Sequence, residues 1–210
     1  MARWPTSYCS SNILPSQTYA SAGEWYSTLS DIHMAQLAFQ HNDAVEDKED
    51  AGDKYVARQL FRNLAAKGRL VPESSKSDGE FRLFSEDFRP ANVLLSEHLQ
   101  VVGVIDWEFA YAAPSQCSFD PPSWDKRAWM LNYAVRKSWA FDFIWWKFLD
   151  ESYFGPNENQ DYQARVGLLS ESQRKVMELF VVRKMEESGN RKIIEWSDED
   201  AADRLAEVLI

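Results

Sequence analysis

Residues 85–94 read Ser-Glu-Asp-Phe-Arg-Pro-Ala-Asn-Val-Leu, and residues 104–109 read Val-Ile-Asp-Trp-Glu-Phe. These stretches place an aspartate at position 87, an asparagine five residues later and a second aspartate fourteen residues beyond that. Two short apolar runs, 92–95 and 101–105, lie between the aspartates and are joined by a mostly polar segment. Runs rich in β-branched residues and leucine, separated in this way, are typical of a β-hairpin. The predicted order is loop, strand, turn, strand, aspartate.

This order of side chains suits the transfer of a phosphoryl group to a hydroxyl. That reaction requires an oriented acceptor, neutralised phosphate charge and Mg²⁺ ions held between the phosphates. In the protein-kinase template, the catalytic loop carries D-x-x-x-x-N and the metal-binding aspartate follows a hairpin. Asp87 and Asn92 have this spacing, and Asp106 follows the second predicted strand. The D-x-x-x-x-N spacing alone is common by chance, so the hairpin and Asp106 are what indicate a phosphotransferase.

The two stretches resemble the catalytic core of the aminoglycoside phosphotransferase and choline kinase group. The residues that carry the resemblance are Asp-Phe-Arg-Pro-Ala-Asn-Val-Leu-Leu and Val-Ile-Asp-Trp-Glu-Phe-Ala. They look closest to the phosphotransferase-like proteins of filamentous fungi. The resemblance is strongest over residues 84–114 and extends more weakly over 20–70 and 124–210.

The resemblance implies roles for four side chains. Asp87 is expected to be the catalytic base, and Asn92 and Asp106 the Mg²⁺ ligands. Arg89 is expected to contact the γ-phosphate. The implied cofactors are ATP and Mg²⁺, and the implied partner is a small molecule with an acceptor hydroxyl.

The chain departs from the family pattern in two places. The family usually has a histidine two residues before the base, where it braces the catalytic loop; here that residue is Ser85, which predicts a looser loop. A kinase N-terminal lobe also requires a glycine-rich loop and a strand lysine. The eight glycines never fall two apart, and Lys48, Lys54, Lys67 and Lys76 lie in polar or helical surroundings. We therefore expect these 210 residues to lack the lobe that grips the nucleotide.

Three interpretations follow from this expected absence. The chain is an ATP/Mg-dependent enzyme by itself, or it receives an N-terminal lobe from another chain. The alternative is a truncated or catalytically inactive lobe that acts as a binding module. Whether the chain is an enzyme is left open by its sequence.

The remaining sequence predicts helices on either side of the hairpin. Capping-box spacing occurs at Ser21 and Ser170, each ahead of a periodic apolar stretch, and residues 197–200 are predicted to open a last helix. Another helix is predicted to end near Gly68. Residues 124–150 predict one long aromatic-rich helix, or two with a break.

The predicted fold class is α+β, predominantly α. We expect the helical C-terminal lobe of the protein-kinase-like fold with a small β-hairpin, and no N-terminal lobe. Residues 1–20 are predicted to form an irregular N-terminal arm. Residues 21–210 would form the lobe, with residues 84–114 as its catalytic core.

The net charge of −10 and a pI near 4.8 argue against nucleic acid and anionic lipid as partners. No apolar run approaches the roughly 18 residues of a membrane helix, and the N-terminus lacks the apolar region of a signal peptide. Two distant cysteines do not indicate a disulfide framework. We expect a soluble, cytoplasmic protein.

One cluster of aromatic residues has two interpretations. It forms helix-packing core, or it forms an exposed face that invites a protein partner. Its members are Trp139, Phe141, Phe143, Trp145, Trp146 and Phe148. Among the histidines, His33 is predicted to be a packed or half-exposed residue and not a base, while His41 and His98 are predicted to be exposed.

Overall fold

The structure is a computed structural model that describes residues 18–41, 44–71, 81–115, 126–190 and 196–210. Most of the predicted N-terminal arm, residues 1–17, lies outside these ranges. In the described residues, no helix has both the length and the apolar character needed to cross a membrane.

The first helix begins and the second helix ends where local signals predict. Helix α1 spans Ala22–Phe39, and the Ser21 hydroxyl caps it by accepting from the backbone N–H of Glu24 at 3.2 Å. Helix α2 spans Lys48–Ala66 and is capped by the Asp47 carboxylate. Gly68 follows α2 with a φ of +63°, the left-handed conformation that glycine adopts at low cost.

Helix α2 lies at the centre of the core. Its buried side chains include Tyr55, Leu60 and Phe61. It packs against α1 and against α7, which spans Glu171–Asn190. Helix α8, Asp198–Val208, packs on α1 and receives a hydrogen bond from Gln59 of α2 to the Val208 carbonyl at 2.8 Å.

The described part of the region 124–150, residues 126–150, is helical with a break, as the second of the two predicted alternatives stated. Helix α3 spans Lys126–Arg136, and the chain breaks at Lys137 before it becomes helical again. The second section is a 3₁₀ turn at Ser138–Ala140, α4 at Phe141–Ile144, a π-helical turn at Trp145–Leu149 and α5 at Asp150–Phe154.

The short helix α6, Gln163–Val166, follows. The predicted capping box before α7 is confirmed, since Ser170 and Gln173 exchange two hydrogen bonds of 3.0 and 3.1 Å.

The aromatic cluster divides between the two interpretations. Phe141, Trp145 and Trp146 are buried in the core. Trp139 and Phe143 are 78% and 62% exposed. A protein partner over these exposed rings remains a prediction.

The histidine predictions have mixed outcomes. His33 is buried as expected, and its ring Nε2 lies 2.9 Å from the Val135 carbonyl of α3. His98 is exposed as expected. The prediction for His41 is wrong, because its side chain packs beside Glu187 and is only 10% exposed.

Within residues 81–115, the described part of the chain between α2 and α3, four strands form two small antiparallel sheets. The predicted hairpin pairs β2, Val93–Leu95, with β3, Val101–Val104. Around it, β1, Phe81–Ser85, pairs with β4, Ala110–Pro114. The second pairing was missed, because Pro114 suggests a loop; proline is tolerated here at the end of an edge strand. Mostly helical with this small β content, the fold is α+β as predicted, while its identity as a kinase-like lobe stays a prediction.

Candidate functional site

The nested strand pairing brings two loops side by side. One loop joins β1 to β2 and carries Asp87 and Asn92, and the other joins β3 to β4 and carries Asp106. Because β1 pairs with β4 and β2 with β3, both loops leave the sheets at the same end. Two backbone hydrogen bonds connect them, from the Glu86 N–H to the Phe109 carbonyl at 3.2 Å and from the Ile105 N–H to the Asn92 carbonyl at 2.9 Å.

Asn92 closes the first loop back on Asp87. It lies in a 3₁₀ turn at Pro90–Asn92 and is buried. Its Nδ2 donates to the backbone carbonyl of Asp87 at 2.9 Å. The carbonyl Oδ1 is the Asn92 atom suited to a cation, because the amide nitrogen is only a donor. The Asp87 carboxylate is partly exposed, so an acceptor hydroxyl can reach it.

Asp106 leaves β3 in a strained backbone conformation. Its φ is +64°, a left-handed value that aspartate tolerates better than most residues. The side chain is exposed, and the residue directly follows Ile105, whose N–H is bonded to Asn92. Outliers of this kind cluster at functional sites. Leu99 and Gln160 share this conformation, with φ of +59° and +53°, and a role for Asp106 at the site stays a prediction.

Arg89 pairs with the Asp87 carboxylate at 3.0 Å. The Arg89 side chain is 60% exposed, and ion pairs at such exposed positions are weak, about 0–1 kcal/mol. The pair can therefore open at little cost. The guanidinium is then available to an anion that approaches the loop.

Glu86 is the site residue that the sequence analysis missed. Its carboxylate accepts from Lys137 at 3.0 Å, from Arg136 at 3.2 Å and from the Tyr111 hydroxyl at 2.9 Å. Burial alone would raise the pKa of the Glu86 carboxyl, but Lys137, Arg136 and Tyr111 together lower it below the usual range. The sequence shows only that a glutamate stands beside the predicted base. The partners of Glu86 lie 25 to 51 residues away in the sequence, so no local pattern indicates them.

The oxygen donors at the site fit Mg²⁺. Asp106 offers a carboxylate and Asn92 an amide carbonyl, the hard ligands that this ion prefers. Across the described ranges, no three His, Cys, Asp or Glu side chains gather as a metal-binding group. Mg²⁺ commonly takes only one or two carboxylates and completes its shell with phosphate oxygens and water. Asn92 and Asp106 would therefore need phosphate oxygens and water to complete the shell of a Mg²⁺ ion, and their role as its ligands stays a prediction.

The sequence also matches a known protein family. The model of the phosphotransferase enzyme family (APH) matches residues 12–141, more than half of the chain. The chain belongs to the phosphotransferase enzyme family. The matched region contains both loops of the site, together with Arg136 and Lys137 of the Glu86 cluster. No curated protein and no solved structure matches the chain.

Family membership confirms the resemblance drawn from the two motif stretches. The family name states the class of reaction, and it implies a small-molecule acceptor. The roles of Asp87, Arg89, Asn92 and Asp106 remain predictions, as does the expected absence of a nucleotide-gripping lobe. Residues 142–210 lie outside the matched region.

Proposed function

We propose that this protein transfers the γ-phosphate of Mg-ATP to a hydroxyl group of a small molecule. Asp87 acts as the base, Asn92 and Asp106 hold Mg²⁺, and Arg89 contacts the γ-phosphate. The observation that carries the proposal is the nested strand pairing, which sets the Asp87–Asn92 loop beside the Asp106 loop. Asp106 lies 19 positions after Asp87 and 14 after Asn92, and the strand pairing sets all three at the same end of the two sheets.

The proposed reaction begins with the acceptor hydroxyl beside Asp87. The Asp87 carboxylate orients the hydroxyl and takes its proton as the oxygen attacks the γ-phosphorus. The bond from the γ-phosphorus to the β,γ-bridging oxygen breaks, and ADP leaves. Bound Mg²⁺ supplies neutralisation of the phosphate charge, which is most of what this chemistry needs besides positioning.

Arg89 connects binding to catalysis in this proposal. In the described structure the guanidinium is paired with Asp87. An incoming γ-phosphate competes for Arg89, and an arginine binds phosphate oxygens through two parallel N–H donors. When Arg89 turns to the phosphate, the Asp87 carboxylate is released to accept the proton of the hydroxyl.

Nucleotide binding is the first test of the proposal. A ligand at ten times its Kd stabilises the folded state by about 1.4 kcal/mol, which raises the Tm of a chain of this length by about 3–6 °C. Mg-ATP should produce such a shift in the wild type, and Asp106→Ala should abolish it. Asp203→Ala is the matched control, because Asp203 is an exposed aspartate of α8 away from both loops. Absence of any shift at millimolar Mg-ATP would refute an autonomous enzyme.

Turnover is the second test. ADP release should be measured across a panel of small hydroxyl compounds, with and without Mg²⁺. Asp87→Asn should keep the thermal shift with Mg-ATP and lose the transfer. Binding without transfer to any acceptor would instead favour the inactive binding lobe.

A further inference from the structure

Glu86 joins the catalytic loop to two other elements. Its carboxylate meets Lys137 and Arg136 at the end of α3, and also the Tyr111 hydroxyl of β4. The Glu86 side chain is only 10% exposed. A carboxylate that accepts from three donors in a nearly buried position has little freedom to move. Its peptide unit is therefore held at one end of the loop.

The same residue is tied through its backbone to the second loop. The Glu86 N–H donates to the Phe109 carbonyl, three residues after Asp106. Arg136 also stacks over the Phe84 ring of β1, with its guanidinium carbon 4.4 Å from the ring centre. Two charge-assisted contacts and one cation–π contact thus converge where β1 becomes the loop.

Helix α3 is itself anchored to the core. The Tyr26 hydroxyl of α1 donates to the Asn132 side chain, and His33 of α1 contacts the Val135 carbonyl. These contacts join α3 to α1, which packs on the central helix α2. A continuous set of contacts therefore runs from the hydrophobic core through α3 to Glu86.

We propose that Glu86 is a positioning residue for the phosphoryl transfer. Its contacts with Arg136, Lys137 and Tyr111 hold Asp87 and Asn92 in place. Ser85, which stands where the family usually has a histidine, has no ring that could brace the loop. This inference rests on the proposed function for its catalytic consequence. The loop geometry that it describes can also be measured without turnover.

The test compares Glu86→Gln with the wild type. Glutamine keeps the shape and an acceptor for Tyr111 but removes the charge that holds Arg136 and Lys137. Small misplacements of reacting groups cost up to about a hundredfold in rate, so kcat should fall about tenfold or more while the KM for Mg-ATP changes less than about threefold. Hydrogen exchange should also become faster at the amides of Asn92 and Ile105, both of which are hydrogen-bonded in the loops.

Glu187→Gln is the matched control. Glu187 is 13% exposed at its side chain and pairs with Lys184 at 2.9 Å and Arg204 at 3.1 Å, so it also has two cationic partners. It lies in α7, away from the site. This variant should lower the Tm but leave kcat and the exchange of the loop amides as in the wild type, after normalisation to amides of α2.

The outcomes separate the two proposals. If the wild type transfers phosphate and Glu86→Gln changes neither kcat nor loop exchange, the positioning role is overturned and the proposed function stands. If the wild type neither binds Mg-ATP nor transfers phosphate, the proposed function fails, and hydrogen exchange alone decides whether Glu86 holds the loop. Equal effects of the two variants on the Tm alone would reduce Glu86 to a structural ion pair.

Discussion

The ion pair of Asp150 and Arg165 should carry a large share of the stability of the region after α4. The Asp150 side chain is fully buried and accepts from Arg165 at 2.9, 3.0 and 3.1 Å and from Asn157 at 3.0 Å. Arg165 also donates to the backbone carbonyls of Phe154 and Gly155. One carboxylate therefore organises the chain from α5 to α6.

Asp150→Asn should remove the negative charge of the side chain. Its new NH₂ group, a donor, would face the N–H donors of Arg165 or Asn157. At least one of the four contacts becomes unfavourable whichever way the amide turns, and the Arg165 charge is left buried without a counterion. Breaking a buried pair in this way costs about 3–5 kcal/mol; the carbonyl contacts of Arg165 favour the lower end, about 3 kcal/mol. That loss corresponds to a fall in Tm of about 6–12 °C for a chain of this length.

Urea unfolding followed by circular dichroism measures the change in the free energy of unfolding. The control is Glu171→Gln, since Glu171 pairs with Lys175 while both side chains are at least 73% exposed; we expect a change below about 0.5 kcal/mol. The double variant Asp150→Leu/Arg165→Met should recover most of the loss, because no buried charge remains. A loss below about 1 kcal/mol for Asp150→Asn, or no recovery in the double variant, would refute the reasoning.

Two further predictions concern the dependence of stability on pH. Burial, reinforced by the Asp142 carboxylate, raises the pKa of Asp53 to about 7. The folded state therefore holds this proton more tightly than the unfolded chain, and stability should fall as the pH rises from about 4 to about 7. Asp53→Asn keeps an acceptor for the Trp146 indole N–H and should flatten this part of the profile; an unchanged slope in urea unfolding would contradict the assignment. Burial lowers the pKa of His33 to about 3, so stability should fall as the pH drops below about 6.5. His33→Gln keeps a donor for the Val135 carbonyl and should remove that acid-side loss in the same assay; retention of the full loss would assign it to other groups.

The helix boundaries marked by capping residues were predictable, because capping signals are local. Ser21, Ser170 and Ser197 each cap the helix that their spacing predicted, and Gly68 adopts the expected left-handed conformation. A cap needs only the backbone within three or four residues, so its pattern survives without knowledge of the fold. The β2–β3 hairpin was predictable for the same reason.

The contacts between distant segments were not predictable in this way. The strand β4 reads as loop because of Pro114, and only its pairing with β1 makes it a strand. His41 reads as exposed next to acidic residues, yet it packs beside Glu187, which is remote in the sequence. Each of these features depends on a partner that the chain brings near only after it folds.

The site combines both kinds of information. The spacing of Asp87, Asn92 and Asp106, with the residues around them, carries the resemblance to the family, and the family match over residues 12–141 confirms that resemblance. Tertiary structure alone decides that the two loops meet, since their adjacency comes from β1 pairing with β4 outside the hairpin. It also decides how the first loop is held. The carboxylate beside the predicted base acquires its partners only when α3 packs against α1 and presents Arg136 and Lys137 to Glu86.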